Sequence, residues 1–240
     1  MKKIWHSNSK IEMSILEHLT ELRERLFIAF LIFSMTTIIC MTYIKSIATL
    51  LQEPAIGIKF LQLAPGEYLF VSIKIAVFLG IVLSSPFSIY QFILFILPGL
   101  TSQEAKYIIP MLLSSIILFF TGVVFSFKIL IPSALSFLIN YGSDIVEPIW
   151  SFEEYFNFVL LLLFSTGITF QIPIVQITLG LFNIYSSQNM LEYWKYIIFI
   201  ATIIGAIVTP STDPITQIFM TLTILLLYFS GIFILKTLHK

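Results

Sequence analysis

Two carboxylates, Glu21 and Glu104, and one amide, Gln171, are the side chains whose type and setting could do chemistry. Glu21 lies in SILEHLTELRERL, residues 14–26. There Ile15, Leu19, Leu22 and Leu26 recur at i, i+4, i+7 and i+11 on one helical face, and Glu17, Glu21 and Glu24 share another. One reading is an interfacial helix in which Glu21 and Arg25 form an i, i+4 pair contributing about 0.2–0.5 kcal/mol. The other is a set of carboxylates at a membrane surface that receives a cationic ligand. Glu104 has the same two readings. With Thr101 it fits a capping box, which needs no ligand, yet its loop PGLTSQEAK is the shortest polar gap on the basic side of the chain and could bring it beside Glu21. Gln171 precedes Pro173 in FSTGITFQIPIVQ, inside an apolar segment. A glutamine there needs a hydrogen-bond partner, either another helix of this chain or the helix of a partner protein, and the contact expected for Gln171 is with the transmembrane helix of a small partner.

The medium these groups sit in follows from composition. Apolar residues are 58% of 240, charged residues 11%, and mean hydropathy is +0.99, so too little polar surface exists to cover a water-soluble domain. The solvent is lipid. Lysine plus arginine balances aspartate plus glutamate at 13 each, leaving no excess charge to draw the chain to nucleic acid. One cysteine, Cys40, excludes an intrachain disulfide, and three scattered histidines, His6, His18 and His239, make a metal centre unexpected. No Walker A or G-x-G-x-x-G string is present, and no cofactor is expected.

The elements that must position the polar groups are six apolar spans, expected over about 26–43, 68–97, 107–128, 152–180, 195–208 and 215–235, behind an amphipathic lead-in helix over 14–25. Ser14 with Glu17, Thr101 with Glu104 and Ser151 with Glu154 fit capping boxes, and Asp213 before Pro214 reads as an N-cap followed by proline at N1. Pro54, Gly57, Pro65 and Gly66 punctuate the first loop; Pro132, Gly142 and Pro148 punctuate the third. The fifth span has only about 14 apolar residues, roughly 21 Å of helix against a hydrocarbon core of about 30 Å. Lys2, Lys3, Lys10, Arg23, Arg25, Lys106, Lys195, Lys236 and Lys240 collect on one side, and only Lys45, Lys59, Lys74 and Lys128 on the other, which places both termini in the cytoplasm or its equivalent. No Asp or Glu interrupts a span interior, which weighs against a proton-coupled carrier. The polar residues in the spans are Gln91, Asn157, Thr166, Thr169, Gln171 and Gln176.

Four strings in order, HLTELRERL, SSPFSIYQFILFILPGLTSQE, FSTGITFQIPIVQ and TPSTDPITQ, resemble the TatC family, the multispanning subunit of the twin-arginine protein translocase. The resemblance covers nearly the whole chain as one domain, 1–240. It implies an all-α, polytopic fold of six transmembrane helices in a concave arrangement, with both termini cytoplasmic or stromal. It also implies export of folded proteins driven by the proton-motive force, with no enzymatic chemistry. The implied partners are twin-arginine signal peptides, small single-span subunits of TatA/TatB type, further copies of the same subunit and the lipid bilayer. Residue by residue, the resemblance implies signal-peptide binding at Glu21 and Glu104. It also matches Pro54, Phe95 and Asp213 to positions that matter for activity. At Gln171 many bacterial relatives have glutamate, whereas the cyanobacterial and chloroplast branch is similar to this chain, so a role requiring ionisation there is not expected. That branch implies the plastid thylakoid, with a cyanobacterial thylakoid or plasma membrane as the alternative. A secondary transporter or a scaffold for membrane-complex assembly is the rival reading of the residues alone.

Overall fold

The structure is a computed structural model that describes residues 15–55, 57–96, 102–141, 149–182, 184–208 and 214–238. Ten helices occur among them. Five are, alone or joined end to end, long and apolar enough to cross a membrane, and one further apolar helix is shorter. The lead-in segment and first span form one uninterrupted helix, α1 (Ile15–Thr42), followed by the short α2 (Ile44–Gln52) and a 3₁₀ turn, Glu53–Ala55, that contains Pro54. The second span is α3 (Glu67–Ile96), which accommodates Pro86 as spanning helices do when neighbours satisfy the freed backbone groups.

The third span runs further than expected. After α4 (Ser102–Phe125) the backbone opens into one π-helical turn, Ser126–Leu130, and continues as α5 (Ile131–Asn140). Pro132 therefore does not end the span, as the sequence suggested, but sits in the first turn of α5. Its missing donor falls at a helix start and next to a widened turn, where it costs least. In the fourth span Pro173 does break the helix. α6 (Phe152–Thr169) stops, Phe170 and Gln171 form a turn, and α7 (Ile172–Leu181) resumes. The remaining helices are α8 (Ser187–Glu192), α9 (Trp194–Val208) and α10 (Pro214–Leu238), the last beginning on its proline. α9 has 15 residues, about 22 Å of helix, and a neighbouring protein surface or a thinned bilayer must cover the shortfall. Asp213, Ser14, Thr101, Gly142 and Pro148 lie outside the described residues.

α6 is the most enclosed span and α1 the least, so Leu19, Leu26, Phe27, Phe30, Met35 and Ile38 of α1 face the lipid. α1 leans on α3 through a small-residue contact. A methyl at Gly80 would lie 2.1 Å from Thr37 Oγ1 and 3.1 Å from Thr37 Cα, while Thr36 Oγ1 donates to the Gly80 carbonyl at 3.2 Å. Only glycine permits that approach, which is how helices associate where lipid supplies no hydrophobic drive. One core joins Leu51, Val71, Ile75, Leu135, Tyr155, Phe156 and Val159; two smaller ones join α10 to its neighbours, one through Met220 and the other through Tyr228 and Leu235.

α3 and α6 enter the membrane in the same direction, so the segments before them run side by side. β1 (Lys59–Leu61) pairs with β2 (Ile149–Ser151) as a short parallel ladder, Phe60 opposite Trp150. This brings two helix N-termini together, and one buried carboxylate serves both. Glu67 Oε2 accepts from the amides of Leu63 (2.6 Å) and Ala64 (3.0 Å), and Oε1 accepts from the amide of Glu153 (2.9 Å) in the first turn of α6. Ser151 Oγ accepts from the Glu154 amide at 3.4 Å. A carboxylate at a helix N-terminus also offsets the partial positive charge there. Glu67→Ala should lower unfolding free energy by about 2 kcal/mol or more, because three amides lose their acceptor, whereas Glu67→Gln should cost less. Denaturant titration in detergent micelles checks the order of the two variants.

Candidate functional site

Helix α1 brings Glu21 to the end of the first span, facing inward and not toward lipid. The apolar stripe of Leu19 and Leu26 is exposed, while Glu21 and Arg25 are turned toward the end of α3, their side chains 19% and 23% exposed. Arg25 Nε donates to Glu21 Oε1 at 2.9 Å, and Nη2 donates to the same oxygen. Its third nitrogen, Nη1, donates to Gln91 Oε1 of α3 at 3.4 Å. One turn toward the N-terminus, His18 stacks on Phe95 with ring centroids 4.2 Å apart and planes 13° apart. The antiparallel register set at Gly80 and Thr37 thus continues to the end of both helices, and places Glu21, Arg25, Gln91, His18 and Phe95 in one cluster.

Within that cluster one atom is conspicuous. Among the described residues, Glu21 Oε2 is buried and has no hydrogen-bond partner; the cationic candidate His18 Nδ1 is 3.8 Å away, beyond hydrogen-bonding distance. A carboxylate oxygen removed from water without a donor is costly, and a guanidinium or ammonium brought to it would recover that cost. The cluster can therefore bind a cation through a directional bond. Among the described residues no group of His, Cys, Asp or Glu side chains has the arrangement of a metal site.

Glu104 lies in the first turn of α4, and its side chain is outside the described residues. Pro54 is half-buried in its 3₁₀ turn between Leu51 and Ala55, both in the first core, which suits a stiffening role. Gln171 is not near Glu21. Ser115 Oγ of α4 donates to Gln171 Oε1 at 2.5 Å, and Gln171 Nε2 donates back to the Ser115 carbonyl at 3.1 Å. Where the sequence pointed to the helix of a small partner protein, both amide atoms of Gln171 are instead taken up within the chain by Ser115. Gln176 is 5% exposed, and among the described residues neither amide atom has a hydrogen-bond partner. It packs where α7 meets Gly231 of α10 so closely that a methyl on that glycine would overlap Oε1.

Sequence reasoning noted Gln91 as a polar residue in a span but assigned it no role, and it overlooked the His18–Phe95 stack. Both contacts join residues on different helices, and only an antiparallel pairing of α1 with α3 would have brought them together. Lys74, counted among the outer-side cations, lies within α3 and reaches Glu153 at 2.5 Å and Asn157 at 3.3 Å on α6. A charge at that depth keeps to the surface by reaching along the helix to its partner.

The reciprocal Gln171–Ser115 pair gives a direct test. Gln171→Leu and Ser115→Ala should each lower stability by about 1 kcal/mol, and the double variant should lose little more than either alone. Thermal unfolding of the purified variants in detergent supplies the cycle.

The family model for "Sec-independent protein translocase protein (TatC)" matches residues 17–222. A tatC-like protein ycf43 of Gracilaria tenuistipitata var. liui is 67% identical over 233 residues, covering 97% of this chain and 98% of the relative. The chloroplastic Sec-independent protein translocase protein TATC of Pisum sativum is 44% identical over 227 residues, covering 94% of this chain and 64% of that protein. A crystal structure of the twin arginine translocase receptor TatC superposes with a TM-score of 0.80 at 36% identity, covering 93% of this chain and all of that one. The six apolar helices agree with this likeness, and the chain belongs to the TatC family of Sec-independent protein translocase proteins, as an integral multi-pass membrane subunit.

Proposed function

We propose that this subunit is the signal-peptide receptor of a twin-arginine translocase in the plastid thylakoid, where it exports folded proteins using the proton-motive force. Glu21 and Glu104 are the recognition carboxylates for the paired arginines. The observation that supports this best is the Glu21 carboxylate, held at the inner end of α1 with one oxygen buried and without a donor. Guanidinium is the natural complement. It is planar and permanently charged, and it holds its N–H groups in fixed directions, which an ammonium does not reproduce. Phe95, stacked on His18 beside Glu21, supplies an aromatic wall to the same site. Pro54 stiffens the turn after α2.

In this reading both termini lie on the stromal face, the six helices form a concave wall, and small single-span Tat subunits and further copies of the chain complete the translocase. The relatives' names support the placement, one of them being chloroplastic.

Binding of a twin-arginine signal peptide to the full-length protein in lipid nanodiscs tests the assignment. Truncating one partner of a hydrogen-bonded interfacial charge pair costs about 2–5 kcal/mol, against about 0–1 for an exposed structural pair. Glu21→Gln and Glu104→Gln should each weaken binding by the larger amount. A peptide with both arginines changed to lysine should bind poorly to the unaltered protein and lose little more on either substitution. Unchanged affinity in both variants would place recognition elsewhere.

A further inference from the structure

Arg25 is a cation already resident at the carboxylate proposed to receive cations, and the geometry decides what it does there. An ordinary i, i+4 ion pair on a helix surface would engage either oxygen interchangeably and would touch nothing else. Here the guanidinium directs both Nε and Nη2 at a single oxygen, Oε1, and fixes its own orientation by donating Nη1 to Gln91 across the helix interface. The carboxylate plane is thereby set from two helices, and Oε2 is left buried with no donor among the described residues. A competitor for the site would be expected to cover both oxygens. This one covers one and presents the other.

We propose that Arg25 and Gln91 are the positioning residues of the recognition site: Arg25 pins Oε1 of Glu21, Gln91 pins Arg25, and Oε2 is presented in a fixed direction to an incoming guanidinium. This inference rests on the reading of Glu21 as a recognition carboxylate. It assigns specificity to preorganisation. Because Oε2 is held in one direction, it favours a donor whose N–H directions are themselves fixed, as in a planar guanidinium, over a freely rotating ammonium, which gains less from a fixed acceptor direction. Resident Arg25 also offsets the charge of Glu21. Net attraction for two further cations must then come from other carboxylates, while Glu21 contributes direction.

The test is the ratio of affinities for a twin-arginine peptide and its twin-lysine counterpart, measured with the full-length protein in lipid nanodiscs. Arg25→Lys retains the charge but lacks the three nitrogens needed to hold Oε1 and Gln91 together. It should weaken twin-arginine binding by about tenfold, the scale of one charge-assisted hydrogen bond, and leave twin-lysine binding unchanged. Gln91→Leu should reduce the same ratio in the same direction, and it serves as the independent variant should Arg25→Lys fail to fold. Combining Arg25→Lys with Glu21→Gln should be no worse than Glu21→Gln alone, since both act through one oxygen. An unchanged ratio in Arg25→Lys and Gln91→Leu, with Glu21→Gln still impaired, overturns the positioning role alone. Tighter twin-arginine binding in either variant also overturns it, by making Arg25 a competitor. If Glu21→Gln binds normally, the underlying recognition reading fails first.

Discussion

The close approach of α1 to α3 at Gly80 is the constraint on which the site depends. In lipid, helices gain nothing from burying leucine against leucine, so they associate where backbones can touch and hydroxyls can find carbonyls. Thr36 and Thr37 against Gly80 provide both. α1 is otherwise the span most exposed to lipid, so its register rests on little else than α3. That register carries Glu21 and Arg25 to Gln91, and His18 to Phe95, several helical turns away. A packing contact in the apolar region thus sets the direction of a carboxylate oxygen at the surface.

The opposite surface solves a different problem with similar economy. Two spans that start on the same side leave two sets of unpaired amides and two positive dipole ends close together. The parallel β1–β2 pairing aligns the approaching segments, and Glu67 then satisfies amides from both. Lys74, reaching from α3 to Glu153 and Asn157 of α6, ties the same two helices a little deeper. The two ends of α3 therefore have distinct work: one is locked to α6 by charge-assisted bonds, and the other supports the polar cluster on α1.

Local features of this architecture could be read from the sequence because they depend on neighbours in the chain. The hydrophobic runs mark the spans, Pro214 opens α10, and Ser151 caps α6 where its spacing from Glu154 suggested. The Glu21–Arg25 pair follows from an i, i+4 offset. Features that join distant segments were not legible. Nothing local distinguishes Gln91, which holds Arg25, from Gln176, which holds nothing by hydrogen bond. Glu67 reads as one more loop carboxylate until β1 and β2 are seen to run side by side. Pro132 misled for the same reason: proline ordinarily signals a helix end, but a π turn just before it lets the third span continue to Asn140. Gln171 was recognised as needing a partner, and only the fold identifies Ser115 as that partner.

The central claim is that the paired arginines of a signal peptide come to the Glu21 end of α1, beside Phe95. Its most direct test replaces Phe95 with a photo-crosslinking phenylalanine analogue and irradiates the assembled translocase with a twin-arginine precursor. The account predicts an adduct that maps to residues flanking the two arginines, and none with a precursor carrying lysines in their place. Equal capture of both precursors, or an adduct mapping to the mature part of the cargo, would contradict it.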